Sequence, residues 1–159
     1  MNKIIITVFS ILGALTVQAQ CNKQTNINEN FDKWKDIDQC WDVYSGEAML
    51  FAKEGKVVFY SMTSPNEEMY LVTPKLSKGT YTVSLDGVDK NTKATLVLYA
   101  ITDFSDVKTY TPLTKAVDVN GQTIKNTITI NQDLRIGIRV NLPNVHQAVY
   151  IDNVVITKK

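Results

Sequence analysis

Histidine and cysteine are nearly missing from this chain, which has one His and two Cys in 159 residues. That scarcity excludes the usual zinc sites, because His146 stands alone and far from Cys21 and Cys40. Phosphate-cradling glycine loops, Gly-x-Ser-x-Gly and His-Glu-x-x-His are missing as well, so the common signatures of nucleotide, acyl-transfer and metalloprotease chemistry fall away. Net charge is also scarce, at +1 over the whole sequence. A neutral, mixed surface lacks the dense positive field that nucleic acid demands, and it does not suit electrostatic docking on a membrane. Arginine is reduced to two residues, Arg135 and Arg139. Sustained helical periodicity is found nowhere.

The first of the features that are present is an export signal. Lys3 gives a positive start, Ile4 to Val17 is an apolar run, and Val17-Gln18-Ala19 offers a signal peptidase the small or aliphatic residues it reads. The run is too short to span a bilayer, and no later segment approaches spanning length. Residues 1–19 are therefore expected to be a signal peptide, with a secreted, periplasmic or cell-surface domain over 20–159. A lipid anchor at Cys21 is disfavoured, since a lipidated cysteine follows a small residue and here it follows Gln20.

About 140 residues remain, enough for one domain with a sizeable core. Without Lys3 the basic and acidic side chains balance at sixteen each. Two cysteines in an exported chain default to a disulfide, so Cys21 and Cys40 are expected to be bonded, at a gain of roughly 3 kcal/mol.

Hydrophobic spacing has a period near two almost throughout. Leu134, Ile136, Ile138 and Val140 face one way, while Arg135, Gly137 and Arg139 face the other. Tyr81, Val83 and Leu85 alternate with polar neighbours, as do Ile128 and Ile130. Thr95 to Ile101 is apolar on both faces, as a strand in the middle of a sheet would be. Lys53-Glu54-Gly55-Lys56 reads as a tight hairpin and Asn120-Gly121 as a two-residue hairpin turn. Roughly nine or ten short strands without helices predict two packed antiparallel sheets, an all-β jelly-roll β-sandwich.

Three phrases carry a resemblance. They are Asn30-Phe31-Asp32 with Trp34 and Cys40-Trp41, then Met69 to Leu76 followed by Gly79 to Leu85, and finally Val149 to Ile156. Together they resemble the galactose-binding-like jelly rolls of bacterial carbohydrate-binding modules and of cleaved-adhesin or MAM-like surface domains. The resemblance implies a structural calcium ion where the first and last strands meet, on positions matching Asp32 and Asp152. Calcium takes six to eight oxygens, so two carboxylates would need backbone carbonyls and water beside them.

Sugar recognition needs flat aromatic faces for pyranose CH groups and planar polar groups for hydroxyls. Trp34, set among charges, is the first candidate platform, with Tyr44, Tyr60, Phe104 and Tyr110 as further aromatic candidates. Arg135 and Arg139 lie four residues apart on one strand face, about 13 Å from each other, and their forks suit carboxylates or vicinal hydroxyls. Catalysis finds little support: His146 reads as a surface residue, and Glu67-Glu68 and Asp103/Asp106 read as solvated loop acids. The expected function is a non-enzymatic binding or adhesion module for carbohydrate. The alternative is a protein-interaction or structural subunit of a cell-envelope assembly.

Overall fold

The computed structural model describes residues 21, 23–35, 37, 40–90 and 92–159, and the expected signal peptide lies outside them. Twelve strands follow in chain order: β1 Asn26–Glu29, β2 Asp42–Ser45, β3 Met49–Lys53, β4 Lys56–Tyr60, β5 Met69–Val72 and β6 Gly79–Gly87, then β7 Ala94–Ile101, β8 Thr111–Pro112, β9 Val117–Val119, β10 Thr123–Ile130, β11 Arg135–Asn141 and β12 Ala148–Lys158. Among the described residues the only helical element is a 3-10 turn, Val107–Thr109, which Asp106 caps by accepting the Lys108 N–H.

These strands form two antiparallel sheets. The first runs β10-β6-β12-β4-β3, with β1 also on β12; the second runs β2-β5-β11-β7-β8, with β9 also on β7. Strand β12 organises the first sheet. It pairs with β4 through Ala148–Ile151 and then, on the same side, with β1 through Val154–Thr157. The change of partner coincides with a bulge between Asp152 and Val155 in its pairing with β6, where Asn153 takes a positive φ of 48°. A bulge kinks a strand and re-aims it, which is what a switch of neighbour requires.

Alternation explains which faces meet. Tyr81, Val83 and Leu85 of β6, Ile124, Ile128 and Ile130 of β10, and Ile136, Ile138 and Val140 of β11 all enter one buried core between the sheets. Burial of each such side chain contributes about 1.5–3 kcal/mol, so a single polar replacement at Ile138 would open the centre of the sandwich. The Glu54-Gly55 hairpin forms as expected, with φ of 51° and 71°, values that suit a two-residue turn. The other expected hairpin needs correction. Asn120-Gly121 does turn the chain, but β9 pairs with β7 in the second sheet while β10 pairs with β6 in the first. It is a crossover between sheets, not a hairpin.

Cys21 and Cys40 form the disulfide, with Cα atoms 5.1 Å apart. It fixes the start of the described chain, which continues into the Gln24 backbone bonded to the Lys75 carbonyl at 2.8 Å.

Candidate functional site

Strands of the second sheet place their odd and even residues on opposite faces, and the outer face mixes aromatic, apolar and charged side chains. From β2 it carries Asp42 and Tyr44, from β5 Tyr70 and Val72, from β11 Arg135, Gly137 and Arg139, and from β7 Val97, Tyr99 and Ile101. Register puts Tyr44 opposite Tyr70, Tyr70 opposite Arg139 and Arg139 opposite Val97, so one row crosses four strands. Tyr70, Val72, Ile101 and Tyr110 form a second buried cluster there, flanked by half-buried Tyr44, Tyr99, Phe104 and Val107.

The cluster is built on edge-to-face ring contacts, the geometry that aromatic quadrupoles favour. Tyr70 lies at its centre and is only 2% exposed. Its ring meets Tyr110 at 5.0 Å, Tyr99 at 5.3 Å and Tyr44 at 6.0 Å, centroid to centroid. The β7–β8 connection folds over one end of the face, held where the Tyr110 hydroxyl donates to the Phe104 carbonyl at 2.9 Å. Burial pushes the Tyr70 phenol above its ordinary pKa, opposed in part by Arg139. Burial, followed by the neighbouring Tyr70 and Tyr44, pushes Tyr110 up to about 12. Both rings stay neutral at physiological pH.

Arg135 and Arg139 occupy this one face in different states. Arg135 donates from Nε to the Thr73 carbonyl at 2.6 Å and from Nη2 to the Cys40 carbonyl at 3.2 Å, and its Nη1 pairs with Asp42. Its guanidinium also lies 5.8 Å from the Phe104 ring centre. Every nitrogen is engaged, tying β11 to β2, β5 and the disulfide. Arg139 lies 5.6 Å from the Tyr70 ring centre. Its polar contacts are all long: Nη1 reaches the Tyr70 and Tyr99 hydroxyls at 3.5 Å each, and Nη2 reaches the Asn66 carbonyl at 3.5 Å. Glu68 Oε1 is 3.8 Å away, and Arg139 Nε is buried without a partner. Ordinary N–H···O bonds run from 2.7 to 3.2 Å, so Arg139 is loosely held.

Trp34 is placed elsewhere. Its ring is half-buried and packs against Phe31 at 4.6 Å and Trp41 at 5.6 Å, so it belongs to the core between the sheets. Of the charges beside it that make it read as an exposed loop aromatic, Asp32, Lys33 and Lys35 are exposed. Phe31 supplies the turn: it is buried with a φ of 57°, and its N–H donates to Glu29 Oε1.

Asp32 and Asp152 are each engaged locally. Asp32 Oδ2 accepts from Asn30 Nδ2 at 2.8 Å, and Asp152 Oδ1 accepts the Asn153 N–H at 2.7 Å within the bulge. Among the described residues no three His, Cys, Asp or Glu side chains are grouped to hold a metal ion. These two carboxylates therefore do not by themselves make the oxygen shell that calcium takes.

Glu67 departs from the solvated loop acid expected from its sequence. It is 8% exposed and accepts the backbone N–H groups of Met62, Thr63 and Ser64, closing the β4–β5 loop. Those bonds, with the Thr63 hydroxyl foremost, lower its pKa from 4.5 to about 2. Asp103 accepts the Ser105 hydroxyl and N–H, which lower its pKa. His146 bonds through Nδ1 with the exposed Tyr60 hydroxyl at 3.1 Å.

Tyr70 and Tyr99, which do not stand out in the sequence, complete the face together with Glu68, whose side chain is 49% exposed as its reading as a solvated loop acid expects. The usable signal was the Thr95–Ile101 run. A strand apolar on both sides must have its second side covered, and here the cover is the tyrosine cluster.

Two packed antiparallel sheets define a jelly-roll β-sandwich. Known structures share that fold. The K3 cleaved adhesin domain of Lys-gingipain from Porphyromonas gingivalis W83 is 19% identical with a TM-score of 0.62, the match covering 84% of this chain and 98% of that one. A family 29 carbohydrate-binding module is 10% identical with a TM-score of 0.57, covering 82% and 83%. A CBM4 structure is 15% identical with a TM-score of 0.55, covering 75% and 86%. No family model matches the sequence, and no curated protein matches it.

Proposed function

We propose that this chain is a non-enzymatic binding module that recognises carbohydrate on the outer face of the second sheet. The observation that carries the reading is the row Tyr44–Tyr70–Arg139, with half-buried Tyr99 and Phe104 beside it. The half-buried rings of Tyr44, Tyr99 and Phe104 can stack on the CH faces of pyranoses while buried Tyr70 supports them, and Arg139 has donors to give to hydroxyls or carboxylates. The fold neighbours support the same class, since two of them are named as carbohydrate-binding modules. Arg135 acts behind the platform by holding the strands that present it. Affinity at one shallow face is weak, and several copies on one surface would raise it by avidity.

The site of action is outside the cytoplasm, after removal of residues 1–19. The Cys21–Cys40 disulfide supports this, because such bonds persist in oxidising compartments.

A second reading, docking of a cell-surface protein, is favoured by strand β3. It ends the first sheet with the sequence Met-Leu-Phe-Ala-Lys, and Met49 is 45% exposed. Apolar edge strands are templates for an incoming strand.

A glycan array decides between the two readings. Binding that Tyr99→Ala or Arg139→Ala abolishes, with the fold intact, establishes the sugar platform. Silence across the array, with a protein captured from envelope extracts and lost on charging β3 at its exposed residue by Met49→Lys, establishes the second reading.

A further inference from the structure

Arg139 is the feature of the face that its own fold leaves least satisfied. Its side chain is only 18% exposed, one nitrogen is buried without a partner, and no polar contact is closer than 3.5 Å. Arg135, on the same strand, is neutralised by Asp42 and saturated by two carbonyls. The positive charge available to a ligand is therefore concentrated at Arg139. Two more donors converge on it, the hydroxyls of Tyr70 and Tyr99, and among the described residues neither hydroxyl has another partner. A guanidinium and two phenol O–H groups gathered at one point call for an acceptor with several lone pairs and a negative charge.

We propose that the ligand of this face is an acidic glycan, and that Arg139 with the Tyr70 and Tyr99 hydroxyls receives its carboxylate. The inference rests on the carbohydrate reading above and adds the class of sugar. Carboxylates satisfy a guanidinium with two oxygens at once, a match that a single sugar hydroxyl cannot reproduce. Tyr44 and Tyr99 then flank the ring that carries the carboxylate. Glu68 is the competitor. It is 3.8 Å from Arg139 and its side chain is 49% exposed, so it can swing into solvent when a ligand carboxylate takes its place.

The role of Glu68 makes the proposal sharp. In a site for neutral sugars Glu68 would accept hydrogen bonds from sugar hydroxyls, and Glu68→Gln would weaken binding. In a site for acidic sugars it repels the ligand, and Glu68→Gln strengthens binding.

The test is calorimetric titration of the purified protein with uronic-acid oligosaccharides (galacturonate, glucuronate and mannuronate series) and their neutral counterparts. The expected result is uronate binding about tenfold or more tighter than neutral binding, as a charge-assisted pair gives. That binding should weaken with added salt, be lost in Arg139→Gln at unchanged melting temperature, and tighten in Glu68→Gln. Neutral oligosaccharides binding equally well or better, with Glu68→Gln weakening them, would overturn the acidic-ligand proposal and leave the carbohydrate reading standing. If neither series binds, the carbohydrate reading falls and this proposal falls with it.

Discussion

Gly137 sits directly beneath Tyr70: a Cβ built on Gly137 would stand 3.2 Å from Tyr70 Cδ1 and 2.7 Å from Ile101 Cδ1. The missing side chain lets the central ring of the platform lie down on β11. Gly137→Ala is therefore expected to destabilise the protein by about 1–3 kcal/mol, the usual cost of overpacking, and to weaken ligand binding as Tyr70 is lifted. Thermal unfolding and titration of the same variant check both effects.

The two arginines separate stability from binding. Arg135→Ala removes bonds to Thr73, Cys40 and Asp42 and is expected to cost about 1–3 kcal/mol. Arg139→Ala gives up only long contacts, so its melting temperature should fall less while its binding falls more. A reversed order in the two measurements would refute this division of labour.

Reduction of the Cys21–Cys40 bond should raise the intact mass by two hydrogens. It should also lower stability by roughly 3 kcal/mol, the chain-entropy value for a loop of this size. The loss should be larger if Arg135 is also replaced, because the Cys40 carbonyl is one of its acceptors.

Glu67 sets an acid limit. Its pKa is lowered from 4.5 to about 2, so its contribution is fully present above pH 4.5 and is lost as pH falls toward 2. Melting temperature should decline across that window in the wild type. Glu67→Gln should start lower and decline less.

Chelation tests calcium at Asp32 and Asp152. Each carboxylate holds a local N–H and keeps further lone pairs for an ion, and if calcium is structural EDTA should lower the melting temperature. A fall that Asp152→Ala abolishes would establish the ion.

Much of the sandwich was legible in the sequence. The alternation in Leu134–Val140 assigned Ile136, Ile138 and Val140 to the core and both arginines to the outside, and the structure agrees. The Asn120-Gly121 crossover was not legible, because a turn dipeptide specifies a local bend and not which sheet receives the next strand. The platform was legible in part. Tyr44, Phe104, Arg135 and Arg139 were readable as polar or aromatic residues in mixed surroundings. Tyr70 and Tyr99 were hidden inside the apolar strands Met69–Val72 and Ala94–Ile101, where period two shows that faces differ but not which face is core. Trp34 was the reverse case. Its charged neighbours suggested exposure, while its partners Phe31 and Trp41 are brought to it only by tertiary structure.

Strand β12 has an effect on when this protein can fold. It is the shared neighbour of β1, β4 and β6, yet it leaves the ribosome after all of them. Until Ala148 onward has been made, the first sheet has no middle, and β1 waits through more than a hundred residues for its partner. Pairing over so long a separation is slow to nucleate. A chain built in this way cannot close its first sheet until its last long strand has been made.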